Sequence, residues 1–381
     1  MDESKRNTDK VKSIVKALIP WFSRNARDLP WRREPYCKDP YCVYVSEIML
    51  QQTQVKTVLA YWERWMRALP NVTALAKARP EKLHKLWEGL GYYTRVRNMQ
   101  RAAQCIRAEH GGRFPQDFDD LLALPGVGPY TAGAICSIAF NQPKSILDGN
   151  VIRVLTRLYG IVGNPRVRET NARLWRIAEE LVLRAAETGA HASASPNATR
   201  NTQQDPRPCA QFNQSLMELG ALICTPRTPR CSACPVAKHC VAYREGRVLE
   251  LPSLGRRVRT TARRFAAFVA QKRGRFLVRQ RPAGVVNAHL WEFPNVELSP
   301  EDADLREAAR RALGVRPGKL ERLGTVKHSI TRYRITLEAY RVGDHANAIP
   351  AGRGRWLDGK RLRQLTFTSA HRQILRRLAA R

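Results

Sequence analysis

The chain has 381 residues, of which 43% are hydrophobic and 26% charged, so it can bury a sizeable core and is long enough for two domains. It carries 66 lysines and arginines against 33 aspartates and glutamates, a formal net charge of +33. This excess predicts a polyanionic partner, because neutralising phosphates releases condensed counterions. The alternative is that the protein comes from an arginine-rich proteome.

The hydropathy pattern gives no sign of a membrane. No apolar run approaches the roughly 20 residues that a transmembrane helix needs, and the N-terminus lacks the apolar core of a signal peptide. We therefore expect a cytoplasmic protein, associated with the bacterial nucleoid if the polyanion is DNA.

The first half of the chain has the apolar spacing of helices. Residues three and four positions apart predict helices at 43–65, 82–87, 94–110, 118–124, 131–140, 172–185 and 211–223. Ser46 is placed to cap the first of these helices. The segment 187–208 is polar and contains small residues and prolines, which predicts a disordered surface insert. Because helical spacing resumes after the insert, we predict one helical domain over 10–243.

The spacing of the apolar residues changes in the last third of the chain, from a helical to an alternating pattern. The basic stretch 244–261 is predicted to be a linker. Beyond it, alternating residues predict two short strands around Lys272–Arg273–Gly274 and a strand at 332–342, with a helix at 304–314. This mixture predicts an α+β domain over 262–381.

A glycine turn stands between two of the predicted helices, in the segment LPGVGPYTAG (124–133). Gly126 and Gly128 let the backbone adopt positive φ and approach a partner closely. The helix start that follows, at Thr131, offers free N–H groups to a phosphate. An ordinary helix–helix turn would look the same, so the turn alone does not decide between the two interpretations.

Four of the nine cysteines crowd into seventeen residues with the spacing C-x6-C-x2-C-x5-C, at Cys224, Cys231, Cys234 and Cys240. An odd cysteine count without a secretion signal argues against a disulfide framework. Thiolates at this spacing can hold a 4Fe-4S cluster or a zinc ion. A zinc ribbon more usually has two C-x2-C pairs, so the single pair favours iron–sulfur.

The glycine turn, the aspartate in ILDGNVIRVL (146–155) and the cysteine spacing together resemble the helix-hairpin-helix, iron–sulfur DNA glycosylases. Within that superfamily, SEIMLQQTQV (46–55), WEGLGYYTRVRN (87–98) and FNQSLMELGALIC (212–224) resemble the MutY-type adenine DNA glycosylases. The resemblance covers nearly all of the first 240 residues. It implies a monomeric enzyme with a 4Fe-4S cluster that removes adenine mispaired with 8-oxoguanine or guanine in double-stranded DNA.

The resemblance also assigns the catalytic roles. Breaking the N-glycosidic bond needs a proton for the base and a negative group beside the developing oxocarbenium ion. Glu47 takes the first role and Asp148 the second, with Asn150 hydrogen-bonded nearby. Without the motif, each acid would be explained by its position at a helix N-terminus, and for Asp148 both interpretations can hold. Tyr130 stands where endonuclease III type enzymes carry a nucleophilic lysine, which predicts a monofunctional glycosylase that leaves an abasic site.

Extruding a base leaves a gap in the stack that the protein must fill. By resemblance Gln52 and Tyr92 fill it beside the 8-oxoguanine, with Leu50 and Thr53 lining the same surface, while Tyr93 is expected in the core. The alternative for both tyrosines is burial behind neighbouring glycines. Phosphate contacts are expected from Arg95, Arg97 and Arg153.

The C-terminal part resembles the Nudix-like domain with which these enzymes recognise 8-oxoguanine, through LWEFPN (290–295) and LREAARRALG (305–314). Arg310 and Arg311 stand where a Nudix hydrolase has magnesium-binding glutamates, so no pyrophosphohydrolase activity is expected. The loop His328–Arg332 departs from the family pattern His-x-Phe-Ser-His. Ile330 replaces the aromatic residue, and Thr331 supplies the hydroxyl expected to bind the lesion.

Two other functions remain open on the sequence. A bifunctional pyrimidine glycosylase/lyase is opposed by Tyr130 and by the presence of the second domain. Ile152 follows the same logic as Tyr130, because some relatives have a lysine there that can trap the abasic sugar. A non-catalytic DNA-binding module is opposed by the joint presence of Glu47 and Asp148.

Overall fold

The computed structural model describes residues 3–193, 207–255, 259–299, 301–302, 304–330, 332–343 and 346–379. Their contacts divide the chain into two units. The helical unit comprises Met1–Lys77 and Asn98–Arg256, and the mixed unit comprises Ala78–Arg97 and Arg257–Arg381. The segment 78–97, which lies inside the predicted helical domain, thus groups with the C-terminal part. No helix in the described ranges is both long and apolar enough to cross a bilayer.

Twelve α-helices are described up to residue 244. In chain order they are α1 (Glu3–Asn25), α2 (Pro40–Leu50), α3 (Val55–Ala68), α4 (Val72–Lys77), α5 (Pro80–Trp87), α6 (Thr94–Glu109), α7 (Phe118–Ala123), α8 (Pro129–Ala134), α9 (Gly149–Tyr159), α10 (Arg168–Ser193), α11 (Pro208–Leu222) and α12 (Val241–Arg244). A π-helical turn, Ile135–Ala139, extends α8.

The single helix predicted at 43–65 is wrong, because the chain forms α2 and α3 with a break between them. Asp39, not Ser46, caps α2: its carboxylate accepts from the Tyr41 amide at 2.8 Å. Ser46 lies inside α2 and donates its hydroxyl to the carbonyl of Val43. At the break Gln52 has a φ of 55°. The apolar spacing continues across the polar residues 51–54, so periodicity alone does not locate the break.

The predicted insert 187–208 is shorter in the structure. Helix α10 continues to Ser193, and Pro208 already opens α11. Alanines in 185–193 favour a helix despite their polar neighbours, because alanine has the highest helix propensity. The rest of the predicted disordered insert, 194–206, lies outside the described residues, as does Thr331.

The mixed unit contains two sheets. Its strands are β1 (Thr261–Val269), β2 (Gln271–Lys272), β3 (Arg275–Gln280), β4 (Trp291–Glu292), β5 (Asn295–Leu298), β6 (Leu320–Ile330), β7 (Tyr333–Val342) and β8 (Arg355–Asp358). One sheet has the order β5-β1-β7-β6, with β1 and β7 parallel, and the other joins β2, β3, β4 and β8. The helices are α13 (Leu305–Leu313), α14 (Gly359–Gln364) and α15 (Ser369–Ala379). The predicted fold class, a helical domain followed by an α+β domain, is confirmed.

Strand β1 forms the centre of the mixed unit because both of its faces are buried. Phe268 packs into a cluster with α13, whereas its neighbour Val269 packs into a second cluster with α15. Successive side chains of a strand point to opposite faces, so one apolar strand supports a layer on each side. This packing holds the predicted helix at 304–314 against the sheet.

In the helical unit, Gly133 of α8 allows a close approach of the backbone at Ser145. A Cβ at Gly133 would lie 2.2 Å from the carbonyl oxygen of Ser145, a backbone atom that cannot move aside alone. We expect Gly133→Ala to lower the unfolding free energy by about 1–3 kcal/mol. Gly149→Ala is the control, because nothing lies within 4 Å of its Cβ position. Equal midpoints for the two variants in urea unfolding would contradict the close packing.

Candidate active site

A cleft of about 1400 Å³ opens in the helical unit. Its walls combine residues that are far apart in the sequence, among them Glu47 from α2, Tyr130 from α8 and Asp148 at the start of α9. Leu50, Gln52 and Thr53 line the same cleft. The fold therefore brings together two acids and a tyrosine that the sequence analysis singled out.

Glu47 lies in the last turns of α2 and is 7% exposed. The hydroxyl of Tyr130 donates to its Oε2 at 2.5 Å and also lies 3.3 Å from the sulfur of Met217. Burial raises the pKa of Glu47 to about 7, opposed by the Tyr130 hydrogen bond and reinforced by the charge of Asp148. Burial also raises the pKa of Tyr130 well above its usual value. The tyrosine consequently remains a donor, and near neutrality the carboxyl can exist in either form.

Asp148 is both a helix cap and part of the cleft wall. Its Oδ1 accepts from the Val151 amide at 2.7 Å, and its Oδ2 accepts from the Asn150 side chain at 2.9 Å. Burial raises the pKa of this carboxyl, whereas these hydrogen bonds lower it. The cap fixes the orientation of the carboxylate, which suits a group that must face a developing positive charge.

Arg153, which the sequence analysis assigned to phosphate contact, is turned towards the protein. Its guanidinium donates to the side-chain oxygen of Asn150 at 2.8 Å and to the carbonyls of Gly220 and Cys224, each at 2.7 Å. A Cβ at Gly220 would lie 2.7 Å from the Cβ of Asn150, so α9 and α11 meet at this glycine. Arg153 thus connects the Asp148 end of α9 to the cysteine segment.

A buried ion cluster that the sequence analysis missed forms another wall. The fully buried carboxylate of Glu218 accepts from Arg27 at 2.8 Å and from Arg32 at 2.9 Å. Burial by itself raises the pKa of Glu218, but the hydrogen bonds with both arginines hold it at about 2. These residues lie more than 180 positions apart, so only a negative residue on an otherwise buried helix face of α11 could have signalled the cluster.

The glycine turn needs only one of its two glycines for conformation. Gly126 has a φ of 78°, and a Cβ there would lie 2.5 Å from the Asn98 side chain. Gly128 has an extended backbone, φ −107°, with open space at its Cβ position. The expectation of positive φ is therefore wrong for Gly128, while the open space leaves its backbone accessible to a partner.

The cysteine segment folds around one buried arginine of α9. Arg157 donates to the sulfur of Cys224 at 3.3 Å and to the carbonyl of Thr225 at 2.8 Å, and its own carbonyl accepts from the Cys240 thiol at 3.4 Å. Burial raises the pKa of Cys234 to about 12, and the charges of the other three cysteines add to this rise. Four cysteine thiols within one segment are the donor set that a 4Fe-4S cluster uses. Within the described ranges no set of His, Cys, Asp and Glu is arranged to hold a single metal ion.

Gln52 and Tyr92 share an uncommon backbone conformation. Gln52 has a φ of 55° and Tyr92 a φ of 49°, values that non-glycine residues rarely adopt. Both side chains are exposed, Tyr92 by 47%, whereas Tyr93 is buried as expected. Backbone in this region is retained where the surrounding structure enforces it, often at functional sites.

The C-terminal candidates lie in the mixed unit. His328 and Ile330 belong to β6, where they pair with Ile335 and Tyr333, so the predicted loop is largely a strand end. At the helix of the Nudix resemblance, the carboxylate of Glu307 is bound by Arg310 at 2.6 Å.

The chain matches three known domain families. Residues 45–180 match the HhH-GPD superfamily of base excision DNA repair proteins, residues 224–240 the iron–sulfur binding domain of endonuclease III, and residues 266–377 the NUDIX domain. An adenine DNA glycosylase of Mus musculus is 35% identical over 94% of this chain and 76% of its own length. The chain belongs to the adenine DNA glycosylase family.

A second relative and a solved structure are also similar to the chain. The adenine DNA glycosylase of Homo sapiens is 32% identical over 97% of this chain and 75% of its own. A solved thermostable thymine-DNA glycosylase is 27% identical, with a TM-score of 0.52, covering 63% of this chain and 99% of that one. This member of the adenine DNA glycosylase family is thus a base excision repair glycosylase that carries an iron–sulfur cluster, as the sequence predicted.

Glu218→Gln tests the buried ion cluster of this glycosylase. Removing one partner of a buried pair leaves the arginines without a counter-charge, so we expect a loss of about 3–5 kcal/mol in unfolding free energy at neutral pH. Because the folded pKa of Glu218 is about 2, its stabilisation is present above the unfolded value of about 4.3 and is lost as the pH falls from there.

The control is Asp28→Asn, which breaks an exposed pair with Arg33 and should leave the unfolding midpoint unchanged. Urea unfolding between pH 3 and pH 7 measures both variants. A Glu218→Gln protein with the midpoint of the control would contradict the role of the cluster.

Proposed function

We propose that the protein is a monofunctional glycosylase that hydrolyses the N-glycosidic bond of adenine mispaired with 8-oxoguanine or guanine in double-stranded DNA. The observation that carries this proposal is the buried Glu47, hydrogen-bonded to Tyr130 in one cleft with Asp148. The net positive charge and the names of the relatives support DNA and adenine as the substrate. Action as a monomer at the nucleoid belongs to the same proposal.

Glu47 is proposed to protonate the leaving base. Tyr130 donates to Oε2, so in the protonated carboxyl the acidic hydrogen resides on Oε1, which remains available to N7 of adenine. As N7 takes this proton, the bond between C1′ and N9 breaks and its electron pair stays on the base. A pKa near 7 provides the acid form at working pH, which an exposed glutamate would not.

Asp148 is proposed to stabilise the sugar cation that remains. Its two oxygens are held by the helix start and by Asn150, so its charge faces C1′ without a reorganisation cost. Water then adds at C1′ and loses one proton, which restores the acid form of Glu47. The products are free adenine and an abasic site, and all atoms of the hydrolysis balance.

A lyase step is not part of this proposal, because position 130 is a tyrosine and position 152 an isoleucine. Lys38 also lines the cleft, where its amine pairs with Glu34 at 3.2 Å. If an amine trapped the abasic sugar, Lys38 would be the residue to examine first.

Recognition of the base opposite adenine is proposed to use the residues that the resemblance assigns to it. Gln52, Tyr92, Leu50 and Thr53 would act at the opened stack, and Thr331 in the C-terminal domain would bind the 8-oxoguanine. The glycine turn, at Gly126 and Gly128, would approach the phosphates. Arg310 is a cation that binds the carboxylate of Glu307, so this carboxylate is unsuited to binding magnesium. This pairing favours a recognition role for the Nudix-like domain over hydrolysis.

The iron–sulfur cluster is proposed to be held by Cys224, Cys231, Cys234 and Cys240. When bound, it would cross-link the segment and could exchange electrons. Arg157 would hold the segment at both ends, since it contacts the first and the last of these cysteines.

Single-turnover cleavage of a duplex with adenine opposite 8-oxoguanine tests the function. We expect nicks only after hot alkali, because a monofunctional glycosylase leaves the abasic strand intact. Glu47→Gln should reduce this cleavage by roughly a hundredfold or more. Equal nicking at neutral pH would indicate a lyase, and binding without cleavage would support the DNA-binding module instead.

Tyr130→Phe tests the pKa of the proposed acid. The Tyr130 hydrogen bond lowers the pKa of Glu47, so its removal should raise that pKa above 7. The fall in single-turnover rate at high pH should move to higher pH, while the limb at low pH, set by Asp148, stays in place. Tyr243→Phe, an exposed tyrosine, is the control. An unshifted high-pH limb would show that Glu47 is not the titrating acid.

A further inference from the structure

The turn that carries Tyr92, residues 87–95, has a rigid internal structure. The indole of Trp87 donates to the carbonyl of Gly91 at 2.9 Å, and Arg95 donates to the carbonyls of Leu90 and Gly91 at 3.1 and 3.2 Å. Gly91 and Tyr92 both have positive φ. The Tyr92 turn is therefore fixed before any partner binds.

Arg95 also packs against two aromatic rings, of which only that of Tyr92 is exposed. The guanidinium of Arg95 lies 5.2 Å from the ring of Trp87 and 5.6 Å from that of Tyr92. Trp87 is fully buried, whereas Tyr92 is 47% exposed. Burial lowers the pKa of Arg95 to about 10, and its packed position argues against the phosphate contact expected from sequence. Arg95 thus packs against the Tyr92 ring and supports its position in the turn.

The anchors of the Tyr92 turn lie in the C-terminal part of the mixed unit. Glu88, at 8% exposure, pairs with Lys85 at 3.0 Å and with Arg372 of α15 at 3.5 Å. Lys85 also donates to the carbonyl of Arg363, at 3.0 Å, in the last turn of α14. On the other side of the turn, Arg97 donates to the carbonyl of Ala288 at 3.3 Å.

These anchors come from segments that are nearly 200 to 290 residues from the turn in sequence, which explains why 78–97 groups with 257–381. A buried carboxylate paired with two cations is costly to disrupt, because removing one cation leaves the charge partly uncompensated. These contacts join the Tyr92 turn to the Nudix-like domain within the mixed unit.

We propose that the Nudix-like domain positions the Tyr92 turn through the contacts of Lys85, Glu88 and Arg372, so that reading the base opposite adenine and inserting Tyr92 into the stack are coupled. This inference rests on the proposed function. Arg372 is a positioning residue here, since it touches Glu88 and acts on the DNA only through the turn.

The first measurement is amide hydrogen exchange of the full-length protein without DNA, followed in peptides that cover residues 83–93. In Arg372→Ala we expect exchange in the Tyr92 turn, including the Leu90 amide that donates to Trp87, to become about fivefold faster. Arg376→Ala is the matched control, because it removes an exposed arginine of the same helix. Equal exchange in the two variants would overturn the positioning.

The second measurement compares single-turnover excision of adenine opposite 8-oxoguanine with excision opposite guanine. Coupling predicts that Arg372→Ala lowers the ratio of these rates about fivefold, mainly through the 8-oxoguanine substrate, while Arg376→Ala leaves it unchanged. Arg372→Lys should restore most of the ratio, since it keeps the charge beside Glu88.

The outcomes separate this inference from the function on which it rests. Faster exchange together with an unchanged ratio would overturn the coupling, although adenine excision would stand. No excision opposite either base by the unsubstituted protein would refute the proposed function, whereas the exchange data would still decide whether Arg372 holds the turn.

Discussion

Helix α9 connects the cleft of the helical unit to the cysteine segment. Its capping residue, Asp148, faces the cleft, and Arg153 and Arg157, one and two turns further along, hold the carbonyls and a sulfur of the cysteine segment. Because each guanidinium donates several hydrogen bonds in a fixed geometry, the position of the cap and the path of the segment are set together. The Asp148 carboxylate, which we propose to face the sugar, therefore depends on a helix that also organises the cysteine segment.

Burial, more than any single contact, gives the cleft its chemistry. Glu47 and Asp148 both lose hydration, which raises the pKa of each, yet their hydrogen-bond partners differ. Glu47 receives one hydroxyl, whereas Asp148 receives a backbone amide and a side-chain amide. The hydrogen bonds of Asp148 thus oppose the rise in pKa that burial causes, whereas Glu47, with a pKa of about 7, can hold a proton near neutrality.

The sequence could predict the types of residue in the site but less of their setting. Glu47, Tyr130 and Asp148 were found through local motifs, and the structure brings them to one cleft. The arginines that hold Glu218 were missed, and Arg153 was assigned to DNA although it bonds inside the protein. The sequence does not show whether an arginine binds a phosphate or a buried carbonyl, because the partner is set by the segments that pack against the side chain.

By itself the sequence determined the division between a helical and a mixed part, because this division follows from the periodicity of the apolar residues. It also determined the glycine turn between two helices and the cysteine spacing, because these depend on residues close together in the chain. Only the tertiary structure decided that the helix at 43–65 breaks at Gln52 and that the Tyr92 turn belongs with the C-terminal domain. The second depends on contacts between distant segments, such as Glu88 with Arg372, whose free energy local patterns do not encode. The first could not be located from the sequence because the apolar spacing continues across the polar residues 51–54.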